Sequence, residues 1–134
     1  MSEEHVSHGS CLCGGVRYEA HGRLRDVVAC HCSQCRRTTG HFVAATQVPA
    51  AQLRLTASET LRWYRSSASA ERGFCMRCGG NLFWRETAPD STNVSIMAGT
   101  LDVPTGLRLA QHIFVADKSD YYEINDGVPQ SAQW

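Results

Sequence analysis

Lysine is almost missing from this chain: of 13 basic residues, Lys118 alone is not arginine. Arginine's planar fork suits carboxylates and aromatic faces better than lysine does, although a genome rich in G and C produces the same bias in so small a count. Net charge is missing as well. The 13 basic residues meet 13 acidic ones, so the protein as a whole exerts no pull on nucleic acid or anionic lipid. No long apolar run occurs either. The most apolar window, residues 42–55, is broken by Gln47, Pro49, Gln52 and Arg54, and it is too short and too polar to span a bilayer. The opening Met1-Ser2-Glu3-Glu4-His5 is acidic and holds no apolar core, unlike a secretory signal. Repeats, low-complexity tracts and a long amphipathic helix are absent too. What remains is read as a cytoplasmic chain of 134 residues, enough for one domain with a moderate core and no membrane partner.

What the chain does hold is cysteine. Seven are present, an odd number that full disulfide pairing cannot use. In a reducing compartment, clustered cysteines are metal ligands or redox groups rather than a disulfide framework. Three of them fall within six residues, in Cys30-His31-Cys32-Ser33-Gln34-Cys35-Arg36-Arg37. Thiolates at i, i+2 and i+5 of a tight loop can turn onto one cation, and thiolate is the ligand that selects zinc. Three ligands are one short of a closed tetrahedron, which leaves a position for water or substrate.

In chain order, residues 1–9 read as a flexible lead-in and 10–134 as a single zinc-binding domain. Cys11-Leu12-Cys13-Gly14-Gly15 precedes alternating Val16, Tyr18 and Ala20. Period two argues for a strand, on which cysteines two apart share a face. Residues 41–48 read as a buried strand ended by Pro49. Leu53 with Leu55 and Leu61 with Trp63 mark two brief strands, and residues 66–70 a linker or hairpin end. Phe74-Cys75-Met76-Arg77-Cys78-Gly79 has the form of a zinc knuckle, in which backbone N–H groups point at the sulfurs and glycine closes the loop. A redox C-x-x-C would need a helix after it, whereas strand-type residues follow here. Residues 93–97 and 107–115 read as further strands. The predicted architecture is mainly β.

Seven cysteines divide as four plus three. Pairing Cys11 and Cys13 with Cys75 and Cys78 would close one tetrahedron between distant turns and staple the sheet. The competing division pairs Cys32 and Cys35 with the knuckle, leaving Cys11, Cys13 and Cys30. Spacing leaves both open. The ordered motifs C-x-C-G-G, C-H-C-x-x-C-R-R and F-C-x-x-C-G-x-x-L, followed by His112-Ile113-Phe114-Val115 and Lys118, resemble the glutathione-dependent formaldehyde-activating enzyme family, which includes centromere protein V. The resemblance runs from about Ser10 to the tail. It implies a β-tent fold of small antiparallel sheets stapled by zinc, in the manner of zinc ribbons. It further implies a structural zinc on Cys11, Cys13, Cys75 and Cys78, and a labile or catalytic zinc on Cys30, Cys32 and Cys35.

The activity implied is that of a carbon–sulfur lyase: condensation of glutathione with formaldehyde to S-(hydroxymethyl)glutathione. The implied partners are therefore a small glutathione-like thiol and an aldehyde. Cys30, Cys32 and Cys35 are the expected catalytic residues, and Arg36 and Arg37 the expected carboxylate binders or neutralisers of thiolate charge. His31, lying between two ligands, is expected to point away from the metal, and His112 to be a satisfied structural histidine. The alternatives are the same zinc–thiol chemistry on another small thiol or aldehyde, and a non-catalytic zinc scaffold for protein or nucleic acid. The second rests on Arg62-Trp63-Tyr64-Arg65, since aromatics between basic residues suit base stacking; at zero net charge a half-buried strand explains them better. Oligomeric state is left open, with a homo-oligomer among the options.

Overall fold

A computed structural model describes residues 5–134 of the chain. Among these residues there are ten strands and one α-helix. The strands are β1 (Val6–Ser10), β2 (Arg17–His21), β3 (Val27–Cys30), β4 (Val43–Pro49), β5 (Leu53–Ala57), β6 (Leu61–Arg65), β7 (Ala70–Cys75), β8 (Asn81–Glu86), β9 (Asn93–Met97) and β10 (Leu109–Ile113), and the helix is α1 (Ser33–Thr39). A three-stranded sheet has the order β1-β2-β5, and a seven-stranded sheet the order β10-β3-β4-β9-β8-β7-β6. The mainly β reading of the sequence holds. No helix among the described residues is long and apolar enough to cross a membrane.

Strand periodicity sorts the large sheet into two faces. On β4, Val43, Ala45 and Gln47 share one face, and Thr46 and Val48 the other. On β9, Ser95 and Met97 alternate with Val94 and Ile96. The main core takes Val48, Val94, Ile96 and Phe83 from one face, together with Leu82 at a register shift of β8, and packs them with Tyr18 and Ala20 of the small sheet and Val16 just before it. The opposite face carries a smaller cluster of Val43, Ala45, Met97 and Cys35, with Trp84 against it. β9 lies inside the sheet and is buried on both faces over Val94–Met97, as an interior strand requires. The edge strand β6 is mostly exposed and carries Arg62 and Arg65, charges that discourage pairing with another chain. At the other edge, β10 is covered by the tail, through His112 N–H to Pro129 O at 2.9 Å and Phe114 N–H to Gln133 O at 2.8 Å.

Four local expectations need correction. Residues 6–9 of the predicted lead-in belong to β1, which is paired along its length with β2; a Cβ at Gly9 would lie 2.2 Å from the Tyr18 hydroxyl, so close approach of the two strands needs glycine there. Residues 1–4 lie outside the described residues. Cys11 and Cys13 sit in the turn before β2, not on the strand. The stretch after Cys32 is a helix of seven residues rather than a loop. The sheets are not wholly antiparallel: β10 runs parallel to β3, which requires the long excursion of chain between them.

Candidate functional site

The seven cysteines, none in a disulfide, gather into two clusters: Cys11, Cys13, Cys75 and Cys78 in one, and Cys30, Cys32 and Cys35 in the other. Within each, the sulfurs lie within 4.8 Å of one another. The fold thus assembles the pairing of Cys11 and Cys13 with the knuckle, not that of Cys32 and Cys35. Either donor set suits a soft divalent ion, since each sulfur has its neighbours at the spacing a shared metal demands.

Two turns build the larger cluster. In the first, Cys11 N–H donates to Val16 O at 3.1 Å and Gly14 N–H to Cys11 O at 3.2 Å. Gly14 takes φ +77°, and a Cβ at Gly15 would meet the Thr60 hydroxyl at 2.5 Å. In the knuckle, Gly79 N–H donates to Cys75 O at 2.8 Å and Gly79 has φ +77°. Backbone N–H groups reach the sulfurs as the motif requires: Val16 to Cys11 at 3.3 Å, Gly15 to Cys13 at 3.4 Å and Cys78 to Cys75 at 3.5 Å. The Thr60 hydroxyl, 3.2 Å from Cys75 Sγ, is the largest influence holding that thiol down at about 6. Cys11 and Cys75 are buried in the main core.

The smaller cluster stands on α1. Cys32 caps the helix, with extended backbone and its sulfur accepting from Cys35 N–H at 3.4 Å. Gly40 ends it at φ 84°, its N–H donating to Arg36 O at 2.8 Å, the left-handed stop that glycine supplies. The sulfurs of Cys30 and then Cys35, followed by the N–H groups of residues 35 and 34, hold the Cys32 thiol far below its ordinary value. Cys30, beside Cys32 and Cys35, is pushed well up.

A cavity of about 380 Å³ adjoins this cluster, its lining including Cys30, Cys32, Cys35, Trp84, Arg25 and Arg72. The lining residues Val43, Ala45, Gln47, Ser95 and Met97 all belong to one face of the large sheet. Cys75 is three residues from Arg72 on β7 and so points to the other face. The two cysteine clusters occupy opposite faces of one sheet. Arg25 donates from Nη2 to Ala45 O at 3.0 Å. Arg36 is half-buried and Arg37 exposed; neither contributes to the cavity wall.

His31 turns away from the sulfurs, as its place between two ligands demands. It is 1% exposed and bonds Tyr122 Oη through Nδ1 at 2.6 Å and His112 Nδ1 through Nε2 at 2.9 Å. His112 Nε2 in turn reaches Asp126 Oδ2 at 2.8 Å. Burial, then the neighbouring His112, lowers the His31 pKa from 6.5 to about 4. Tyr122, Asp126, Arg25 and Arg72 were not picked out from the sequence. Arg72 had a usable signal, its odd spacing from Cys75 on a strand; the tail residues had none. On the other face, Arg85 covers the Trp63 ring at 3.6 Å from its centroid and pairs with Glu71 at 2.7 Å, so that face of Trp63 is not open for stacking.

The family described as glutathione-dependent formaldehyde-activating enzyme matches residues 6–117. An uncharacterized lyase of Schizosaccharomyces pombe is 29% identical over 122 residues, which cover 87% of this chain and 83% of that protein. The crystal structure of a Rhodobacter sphaeroides protein is similar at a TM-score of 0.61 and 23% identity, over 92% of this chain and 98% of that one. The last is a likeness of fold.

Proposed function

This chain belongs to the glutathione-dependent formaldehyde-activating enzyme family, and from that premise we propose that it is a zinc-dependent lyase joining a small thiol, glutathione in the family's named reaction, to formaldehyde. The observation that carries the reading is the three-sulfur cluster opening onto the 380 Å³ cavity, a size suited to a small ligand. Cys11, Cys13, Cys75 and Cys78 would hold a structural ion, and Cys30, Cys32 and Cys35 a second one. An ion at the second cluster supplies a coordination position that favours thiolate over thiol and polarises a carbonyl oxygen.

The chain's own residues do the rest. Val43, Met97 and Trp84 form an apolar wall that keeps bulk water from the reacting atoms. Arg25, Gln47 and Ser95 offer polar groups along the cavity to orient the thiol's substituents. Arg36 and Arg37 stay proposed as binders of a substrate carboxylate that extends past α1. In the reaction the sulfur forms a bond to the aldehyde carbon, the carbonyl π pair moves to oxygen, and that oxygen takes up the proton the thiol has lost. The reverse, cleavage of the carbon–sulfur bond, is the lyase sense. The unbridged cysteines suit a reducing, cytoplasmic setting.

The same chemistry on another small thiol or aldehyde is the second reading, favoured by a cavity in which Arg25 already donates to Ala45 O at 3.0 Å and Gln47 to Ser95 Oγ at 3.4 Å, so that these groups are not reserved for glutathione. A base-stacking scaffold has less support, because Arg85 covers a face of Trp63. Calorimetric titration of the zinc-loaded protein with reduced glutathione, against S-methylglutathione, tests the proposal. Binding of the free thiol alone, with proton release, is the expected result. Equal binding of both, or of neither, overturns it for glutathione.

A further inference from the structure

Arg72 is the one Lys, Arg, Asp or Glu side chain among the described residues that is buried, with 7% of its surface exposed. A cation in that position is costly unless an anion accompanies it. No ion pair among the described residues includes Arg72. Its Nε is buried without an acceptor, and its Nη2 lies 3.7 Å from Cys35 Sγ. The guanidinium is thus directed at a sulfur of the three-cysteine cluster, from the wall of the cavity that cluster shares.

The charges of the cluster explain why. Three thiolates and one divalent ion sum to minus one, a charge enclosed by Trp84, Met97, Val43 and Ala45. In such surroundings charge interactions are strong and little screened. Arg36 and Arg37 stand outside the cavity wall, which leaves Arg72 as the cation in contact with a ligand sulfur. β7 holds it there: Arg72 sits opposite Trp84 across the β7–β8 pair, on the face of the sheet turned from Cys75. We propose that Arg72 is the charge-compensating residue of the three-cysteine site, offsetting the net negative charge of the loaded centre and setting how tightly that centre holds its ion. With Arg72 in place an anionic fourth ligand raises the enclosed charge only to minus one, so the site accepts a thiolate where an uncompensated centre would reject it. This rests on the reading of the cluster as a metal site, and not on which thiol or aldehyde reacts there.

The test uses cobalt(II) alone as probe. Protein that keeps its structural ion is freed of its weaker-held ion with a mild chelator, then titrated with cobalt and followed by thiolate-to-cobalt absorption. Arg72→Met and Arg72→Gln should each weaken cobalt binding about 10- to 100-fold, the range seen when a group supporting a metal's ligands is removed. Arg72→Lys should recover most of the loss because it restores the charge, and thermal melts should show the variants folded. Wild-type affinity in Arg72→Gln overturns the proposal. So does a Lys variant as weak as Gln, which would make the role one of shape. Wild-type protein that takes up no cobalt at this site defeats the metal reading itself, and the proposal with it. Thiol titration alone, negative in a wild type that binds cobalt, would instead count only against glutathione.

Discussion

The two cysteine clusters use one ligand type on opposite faces of one sheet, yet the chain treats them differently. The four-cysteine cluster joins turns 62 residues apart or more and merges with the main core through Cys11 and Cys75. The three-cysteine cluster is drawn from six consecutive residues, sits at the start of a two-turn helix and opens onto a cavity. Closing a long loop makes an ion part of the folding free energy. A local cluster closes almost no loop, so an ion held there could come and go while the fold stands. On the proposed reading, structural and reactive roles would be separated by chain path and access, not by the chemistry of the ligand.

Breaking the first cluster should have the largest effect. Cys75 is fully buried, and Cys75→Ser should cost the ion and with it the fold, because structural zinc contributes about 10–16 kcal/mol against a typical net stability of about 5–15 kcal/mol. Far-UV circular dichroism and metal analysis check this; a folded variant with two ions per chain would show the four-cysteine site to be dispensable. Cys32→Ser should act on the other side of the comparison. Serine is itself a good helix cap, so α1 should persist, stability should fall by no more than about 1 kcal/mol, and one ion should be lost with the thiol-dependent activity. Full activity of that variant, or its unfolding, would blur the distinction between the clusters.

Which parts of this were legible beforehand follows from the range of each signal. The cysteine motifs are local, and so are Pro49 at the end of β4 and the alternation that marks β9. The helix α1 was not legible: its one buried residue is Cys35, so seven residues offer no hydrophobic period, and its cap is a cysteine where serine or aspartate is the usual sign. The place of Cys11 and Cys13 was misjudged because a spacing of two suits a strand, whereas here Gly14 and Gly15 break the alternation before Val16 and a turn brings the two sulfurs together. The spacing of Arg72 from Cys75 marks its face of β7, but its meeting with Cys35, like the parallel pairing of β10, depends on which elements become neighbours. The contact of His31 with His112 spans 81 residues, and no pattern within a strand anticipates it.

Acid should sharpen the comparison from the tail side. His31 carries a native pKa near 4 against 6.5, so between those values the unfolded chain binds a proton that the native chain refuses. Stability therefore rises with pH across this window and is lost as pH falls through it, by up to about 3 kcal/mol at roughly 1.4 kcal/mol per unit. Asp126, held below its ordinary value first by the His112 hydrogen bond, loses its contribution in the same direction at lower pH. Urea unfolding at pH 7 and pH 4.5 measures the fall. His31→Asn should flatten the slope between pH 6.5 and 4; an unchanged slope would show that the acid sensitivity does not arise at His31.

The smallest effect expected is the most direct test of whether the clusters act separately. Asn81 opens β8 just after the knuckle, and its Nδ2 donates to Thr38 O of α1 at 3.1 Å. That bond ties the turn holding Cys75 and Cys78 to the helix holding Cys35. It is exposed, so Asn81→Ala should cost only about 0.5–1.5 kcal/mol in chemical denaturation. Its meaning lies in the metals. If the clusters are independent, the chelator concentration that strips the weaker ion should be the same in the variant and the wild type. If instead the knuckle steadies α1 through this bond, the weaker ion should leave more readily while the tighter one is unchanged, because a helix cap that wanders costs the local cluster its geometry and costs the long-range cluster nothing.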